Sequence, residues 1–218
     1  MENYQISNKG SGTIFKNPLL EKLTRTHFAF PVILYFSVGI FSIIYCAVFY
    51  HPSLLLIGIL FLCGILIFTL VEYLIHRFVF HFNAETAKEK EIKYKIHGVH
   101  HHYPKDRDRL VMPPLLSIVL ALIFFIFFRL LFNENGLLLF GGFSCGYSLY
   151  LIIHYCVHRY RQPKNFMSFL WKHHSLHHYR SDESAFAVSN PFWDYLFGTM
   201  PDKKNGNKND MEKLPDSR

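Results

Sequence analysis

Twelve of the fourteen histidines in this chain fall in four short clusters. HRFVFH holds His76 and His81, HGVHHH holds His97, His100, His101 and His102, HYCVH holds His154 and His158, and HHSLHH holds His173, His174, His177 and His178. Histidine is the commonest metal ligand among side chains. On a helix, residues three and four apart share a face. His154 and His158 therefore point together, as do His97, His100 and His101 in an H-x-x-H-H pattern that His174, His177 and His178 repeat. His76 and His81 are five apart, about 140° round an ideal helix, and share a site only if the helix ends or widens between them. His102 and His173 fall off the shared faces. The spacing thus predicts ten converging histidines: His76, His81, His97, His100, His101, His154, His158, His174, His177 and His178. Ten imidazoles suit two metals with about five ligands each, leaving positions open for dioxygen or solvent. Neutral imidazole favours iron, copper, nickel or zinc over magnesium or calcium.

Other uses of such histidines fit less well. A structural zinc site closes with four ligands and favours cysteine. A metal transporter places ligands inside its membrane spans to make a path, and the apolar blocks here are nearly free of such groups. Glu72 is the exception, one turn before His76. It is expected either to orient that imidazole as a supporting carboxylate or to sit as an ordinary carboxylate at the membrane interface.

The elements that must position these groups are apolar. Half of the 218 residues are hydrophobic and 18% are charged, low for a soluble protein. Four blocks, 28–50, 53–75, 115–132 and 136–153, are each close to the ~20 residues that cross the hydrocarbon layer as a helix. Helices are required because unpaired backbone groups are too costly in lipid. His51-Pro52 joins the first pair and Asn133-Glu134-Asn135 the second, so the blocks form two hairpins. The polar segments 1–27, 76–114 and 154–218 then share one side and carry 22 of the 23 Lys and Arg residues; Arg129 is the other. The positive-inside rule makes that side cytoplasmic, with both termini and the histidines on it. The net charge of +7 is explained by this sidedness and not by nucleic acid. No cleavable secretory signal precedes the first block. Cys46, Cys63, Cys145 and Cys156 form no C-x-x-C pair and are expected to be buried, reduced and structural. The fold expected is all-α: four transmembrane helices in two hairpins, with a cytoplasmic helical cap holding a histidine-ligated dimetal site. Residues 1–27 form an N-terminal segment, 28–200 the membrane-embedded domain, and 201–218 a polar tail expected to be disordered.

The four histidine motifs resemble those of the fatty acid hydroxylase and sterol desaturase superfamily of membrane di-iron enzymes. The similarity is greatest to the sphingolipid fatty acid 2-hydroxylases, through LEKLTRTHF at 20–28, HGVHH at 97–101, RLVMPP at 109–114, GYSLY ahead of HY within 146–155, and FWDYLFGT at 192–199. The resemblance covers roughly residues 15–200. Three positions depart from it. The 27 residues before the first block are too few for the b-type cytochrome domain often fused to eukaryotic relatives. Leu151 stands where the family's G-Y-x-x-Y-D stretch has aspartate. His102 and His173 stand where relatives often carry other residues.

The resemblance implies two iron ions as cofactor, with dioxygen and two electrons consumed per turnover. Zinc is able to replace iron in a purified sample, because it binds imidazole sites more tightly than ferrous iron. The expected reaction is hydroxylation of an acyl chain at carbon 2, the chain being free or part of a sphingolipid. Ligands at the span ends meet the first carbons of an acyl chain with little displacement. Sterol or carotenoid hydroxylation or desaturation by the same kind of centre is the alternative, and a metal-binding or transport protein a more distant one. Tyr147 and Tyr150, about two turns and one turn before His154, either line the acyl entrance or bond its carbonyl, or else act as interfacial anchors. Asp194 of the FWDYLFGT string joins Glu72 as a candidate supporting residue. The sequence shows no haem, flavin or iron–sulfur signature, so a separate electron donor such as a ferredoxin or a b-type cytochrome is expected. Arg159, Arg161, Lys164 and Lys172, which flank the last two histidine clusters, are expected to receive it.

Overall fold

The structure, a computed structural model, describes residues 6–201. Every regular element among them is helical: α1 Pro18–Leu23, α2 Ala29–Phe49, α3 Leu54–Ile75, α4 Ala87–Lys93, α5 Val99–His102, α6 Pro114–Phe132, α7 Asn135–Arg159, α8 Ser168–Tyr179 and α9 Phe192–Leu196. π turns at His76–Phe80 and Tyr94–Gly98 extend α3 and join α4 to α5. The tail read as disordered lies, from residue 202 on, outside the described residues.

Four stretches are long and apolar enough to cross a membrane: Ala29–Phe49, Leu54–Phe80, Arg107–Phe132 and Asn135–Arg159. The first agrees with its sequence block to one residue at each end. The second and fourth run further than their apolar blocks, to Phe80 and Arg159. Apolar composition marks where hydrocarbon ends, and nothing in HRFVF or HYCVHR breaks a helix there. The extensions carry His76, His154 and His158 beyond the apolar limit on continuous helix.

The chain divides into two compact units. The first described here comprises residues 15–71 and 107–152. His51 and Asn133 turn its two hairpins, each at a positive φ of 49°, where asparagine and histidine are enriched among non-glycine residues. α7 is the central helix: 67% of its span is buried, against 11–22% for the other three. Its small residues make this possible. A Cβ on Gly142 would stand 2.0 Å from the Phe61 carbonyl oxygen, and one on Gly64 would stand 2.2 Å from that of Leu139, so α3 and α7 touch through backbone. Phe68, Phe128, Leu139, Phe140 and Phe143 fill the remaining space.

Two of the quoted strings meet in this unit. Arg109 of RLVMPP, buried, donates from its guanidinium to the Glu21 carboxylate of LEKLTRTHF and to Thr24 Oγ1 at 3.1 Å. The Thr26 N–H donates to the Asp108 carbonyl at 2.9 Å. The segment ahead of α2 is thereby fixed to the entry of α6. Of the cysteines, Cys46 and Cys145 are buried as expected and Cys156 is half-buried, all unpaired. Cys63 corrects the reading: it is exposed, because its face of α3 points outward.

The second unit comprises residues 6–14, 72–106 and 153–201 among those described. α4 begins on a capping box, Thr86 Oγ1 accepting from the Glu89 N–H while Glu89 Oε2 accepts from the Thr86 N–H. Tyr73, Phe186 and Ala187, with Trp193 against them, form an apolar core beside the histidines.

Candidate metal centre

The ten predicted histidines gather into two groups of five. His76, His81, His97, His101 and His177 form one; His100, His154, His158, His174 and His178 form the other. Within each group, one ring nitrogen per residue lies within 4.8 Å of every other.

Local helix geometry explains the partition. The His81 N–H donates to the His76 carbonyl at 3.1 Å, the i→i+5 bond of a π turn. The extra residue in that turn brings both rings into one group despite their five-residue spacing. His154 and His158 share a face at i, i+4 on α7. Each H-x-x-H-H string splits. His97 and His101 serve the first group while His100 crosses to the second, and His174 and His178 serve the second while His177 crosses to the first. The two strings are thus used in the same way with the groups exchanged. The groups abut, the His101 ring stacking on that of His178 with centroids 4.2 Å apart.

Ring nitrogens face one another at short range. Nε2–Nε2 separations are 3.1 Å for His76–His97 and His177–His81, 3.2 Å for His154–His100 and His158–His154, and 2.8 Å for His158–His174. Ligands at the ~2.1 Å typical of a metal–imidazole bond stand about 3.0 Å apart when they subtend a right angle at the ion. The buried Nε2 atoms of His101 and His178 have no hydrogen-bond partner among the described residues. Burial, reinforced by repulsion between neighbouring imidazoles, holds His97, His100, His101, His174 and His178 well below the usual histidine range. Burial also brings His177 down to about 4 and lowers His81. Rings kept neutral offer lone pairs to a cation. The donor set, the separations and the protonation state all fit a transition metal in each group, with at least one position of a six-coordinate ion left open.

A backbone segment missed by the sequence orients two of these rings. His177 Nδ1–H donates to the Ser184 carbonyl at 2.7 Å, and His76 Nδ1–H donates to that of Phe186. Both bonds fix the tautomer that turns Nε2 inward. Residues 184–189 are held from both sides. Glu72 Oε1 accepts from the Val188 and Ser189 N–H groups at 2.7 and 3.0 Å, and its Oε2 accepts from the Ser189 hydroxyl. Asp194, fully buried, accepts from the Phe186 and Ala187 N–H groups at 2.9 Å each, from Thr199 Oγ1 at 2.7 Å and from His173 Nε2 at 2.9 Å. Of the two expected readings of Glu72, orientation of His76 and a place at the interface, neither names the contact found. The carboxylate reaches across to the 188–189 backbone and acts on His76 only through the segment that carries the Phe186 carbonyl. No side-chain signal betrays a segment whose contribution is two carbonyl oxygens.

The bystanders are accounted for. His173 belongs to neither group and serves Asp194; His102 Nδ1 meets the Tyr94 hydroxyl at 3.3 Å. Tyr147 and Tyr150 lie in the four-span unit, where their rings stack on each other and pack against Phe68. The Tyr147 ring also meets Tyr35 edge-on, and its buried hydroxyl has no hydrogen-bond partner among the described residues. Leu151, in the place of the family aspartate, is buried.

Residues 61–199 match the model of the fatty acid hydroxylase family. The chain belongs to the fatty acid hydroxylase family. Among relatives of this hydroxylase family member, a ceramide very long chain fatty acid hydroxylase of Schizosaccharomyces pombe is 33% identical over 194 residues, 87% of this chain and 55% of the relative. A fatty acid 2-hydroxylase of Rattus norvegicus is 41% identical over 153 residues, 68% and 41% of the two chains. A dihydroceramide fatty acyl 2-hydroxylase of Arabidopsis thaliana is 36% identical over 142 residues, 65% and 60% of the two. The chain thus spans about half the length of these curated relatives. The structure of full-length scs7p, in which only the hydroxylase domain is visible, superposes with a TM-score of 0.81 at 33% identity, covering 89% of this chain and 74% of that one. The all-α fold with four apolar spans is that of this hydroxylase domain.

Proposed function

We propose that this chain is a membrane hydroxylase that places a hydroxyl group on carbon 2 of a fatty acyl chain, free or in a sphingolipid, using two iron ions, dioxygen and two electrons. The observation that carries the reading is the pair of abutting five-histidine groups at the ends of apolar helices. The named activities of the relatives, fatty acid 2-hydroxylase and dihydroceramide fatty acyl 2-hydroxylase, support the substrate class. Iron in both groups would supply activation of dioxygen and abstraction of hydrogen from the acyl carbon. The chain's own residues hold and orient. The ten histidines His76, His81, His97, His100, His101, His154, His158, His174, His177 and His178 are the ligands. The Ser184 and Phe186 carbonyls fix two of them, and Glu72 and Asp194 fix that backbone. Tyr147 and Tyr150 are the candidates for contact with the acyl group.

The distribution of Lys and Arg supports a cytoplasmic side for the histidines and both termini. A separate donor, a ferredoxin or a b-type cytochrome, delivers the electrons there. The test is lipid mass spectrometry of cells with and without the gene. A 2-hydroxy acyl product that requires the gene supports the reading. An unchanged acyl pool with a modified sterol or carotenoid would replace it with the ring-lipid alternative.

A further inference from the structure

Residues 191–200, PFWDYLFGTM, contain a single charge, Asp194, and it is fully buried. The rest of the segment turns apolar side chains outward. Phe192 is 54% exposed, Tyr195 79%, Leu196 56%, Phe197 45% and Met200 44%. Isolated exposed apolar residues are ordinary on a protein surface, whereas five within nine positions of one short segment mark a contact surface.

The neighbours of this surface identify what it contacts. The Phe197 ring stacks on Tyr73 with centroids 5.3 Å apart and planes within 15°. Tyr73 belongs to the apolar stretch Leu54–Phe80, and its hydroxyl meets Thr199 Oγ1 at 3.0 Å. The outward face of α9 is therefore continuous with the flank of a membrane span near its polar end. One turn further on, the Arg77 guanidinium donates to the Tyr73 hydroxyl at 2.7 Å and lies over the Phe78 ring. Phe78 and Val79 are themselves exposed. Aromatic rings with a polar edge, beside a cation at a span's end, are the side chains that favour the headgroup layer of a bilayer.

We propose that α9 and the turn after it lie in the interfacial layer of the lipid leaflet, with Phe192, Tyr195, Leu196, Phe197 and Met200 seated in lipid. The partner is the bilayer itself. The inward face of the same helix carries Asp194, which holds the Phe186 and Ala187 N–H groups, and the Phe186 carbonyl accepts a hydrogen bond from His76 Nδ1–H. The lipid seat thus supports the element that orients a ring of the first group. The inference rests on the apolar spans crossing a bilayer and not on the hydroxylase reading, so a chain without that activity would still show it.

Tyr195→Trp, reconstituted in nanodiscs of phosphatidylcholine, tests it as the difference in fluorescence from the wild-type chain. The added indole should lose most of its emission to lipids brominated near the headgroup and less to lipids brominated near the chain end, while aqueous iodide leaves it unquenched. Quenching by iodide as in a freely exposed indole overturns the proposal. Protection from both quenchers also overturns it, since the face is then covered by protein, such as a second copy of the chain. Phe192→Trp repeats the measurement from the first turn, so that poor folding of one variant does not decide the outcome.

Discussion

The backbone N–H of His81 donates to the carbonyl of His76, 3.1 Å away, and this i→i+5 bond of the π turn brings two histidines with non-helical spacing into one five-histidine group. Inserting one alanine after Val79 lengthens the spacing to six and should swing His81 about 100° round the axis. The expected result is a chain that keeps the metal of the second group and loses that of the first. Metal analysis of the purified variant should read one ion per chain where the parent reads two, with no hydroxylated product.

The exchange of His100 and His177 between groups gives a paired test. His177→Ala should empty the first group and His174→Ala the second, although the two residues are three apart on α8. Each should lower metal content by one ion and reduce product to background. If both substitutions empty the same group, the partition is wrong.

How much of this was legible beforehand follows from which interactions are local. The convergence of ten histidines could be read because helical periodicity is a property of the sequence, and the condition on His76 and His81 was met by a π turn. The partition of His97, His100 and His101 between groups was not legible, because it depends on where two other elements stand. The two readings of Glu72, support of His76 or an interfacial carboxylate, both miss its contacts with Val188 and Ser189. Its sequence neighbour is His76, and its partners are 116 and 117 residues away. The roles of LEKLTRTHF and RLVMPP needed the Glu21–Arg109 pair, 88 residues apart. Span limits were legible to within a residue or two where polarity and helix end together, as at α2, and not where α7 runs on to Arg159.

Glu72 and Asp194 suspend one backbone segment from opposite sides, and their removal should read differently at the two groups. Supporting contacts of this kind change metal affinity by about 10–100-fold. Glu72→Ala should weaken the first group by that order and leave the second unchanged, as read by competition with a chelator. Equal weakening of both groups would assign Glu72 to general stability instead.

Spacing alone makes His173 a silent position, and its hydrogen bond to buried Asp194 changes that expectation. His173→Ala removes one of four donors to a fully buried carboxylate, an unmet need that costs about 1–3 kcal/mol. Thermal unfolding in detergent should fall accordingly while metal content stays at the parent value. His102→Ala loses a 3.3 Å contact with the Tyr94 hydroxyl and a ring stack on Tyr103, and, since His102 stands in neither group, metal content should stay at the parent value. Loss of metal from His173→Ala would place it among the ligands.

The depressed histidines set the direction of the pH response. A ring held down in the folded chain binds its proton more readily once unfolded, so below the unfolded value of about 6.5 the unfolded state carries more protons. Stability is then fully present above about pH 6.5 and falls as pH drops, and for His177 the loss develops down to its folded value of about 4. Protons also compete with metal for the same nitrogens. Unfolding and metal release, followed together from pH 7.5 to 4.5, should shift in the same acidic direction. A melting temperature that rises on acidification would contradict the neutral assignment of the rings.

Electron supply is the last expectation and rests on the proposed hydroxylase activity. Arg159, Arg161, Lys164 and Lys172 are all exposed, at the end of α7, in the segment that follows it and in the second turn of α8, and these two helices carry five of the ten histidines. An acidic carrier is steered towards such a surface, and steering changes association rates by about 10–10³-fold at low salt. Arg159 also donates to the Lys105 carbonyl at 3.4 Å, so reversing its charge disturbs local structure as well as the field. The cleaner variant therefore reverses Lys164 and Lys172 to glutamate. Stopped-flow reduction by a ferredoxin or a b-type cytochrome should slow about tenfold or more in this variant. Raising salt should slow the parent towards the variant and affect the variant little. Turnover driven by a small chemical reductant should be the same in both, which separates lost docking from a damaged metal centre. Carrier-driven turnover that ignores both charge reversal and salt would place the docking surface elsewhere.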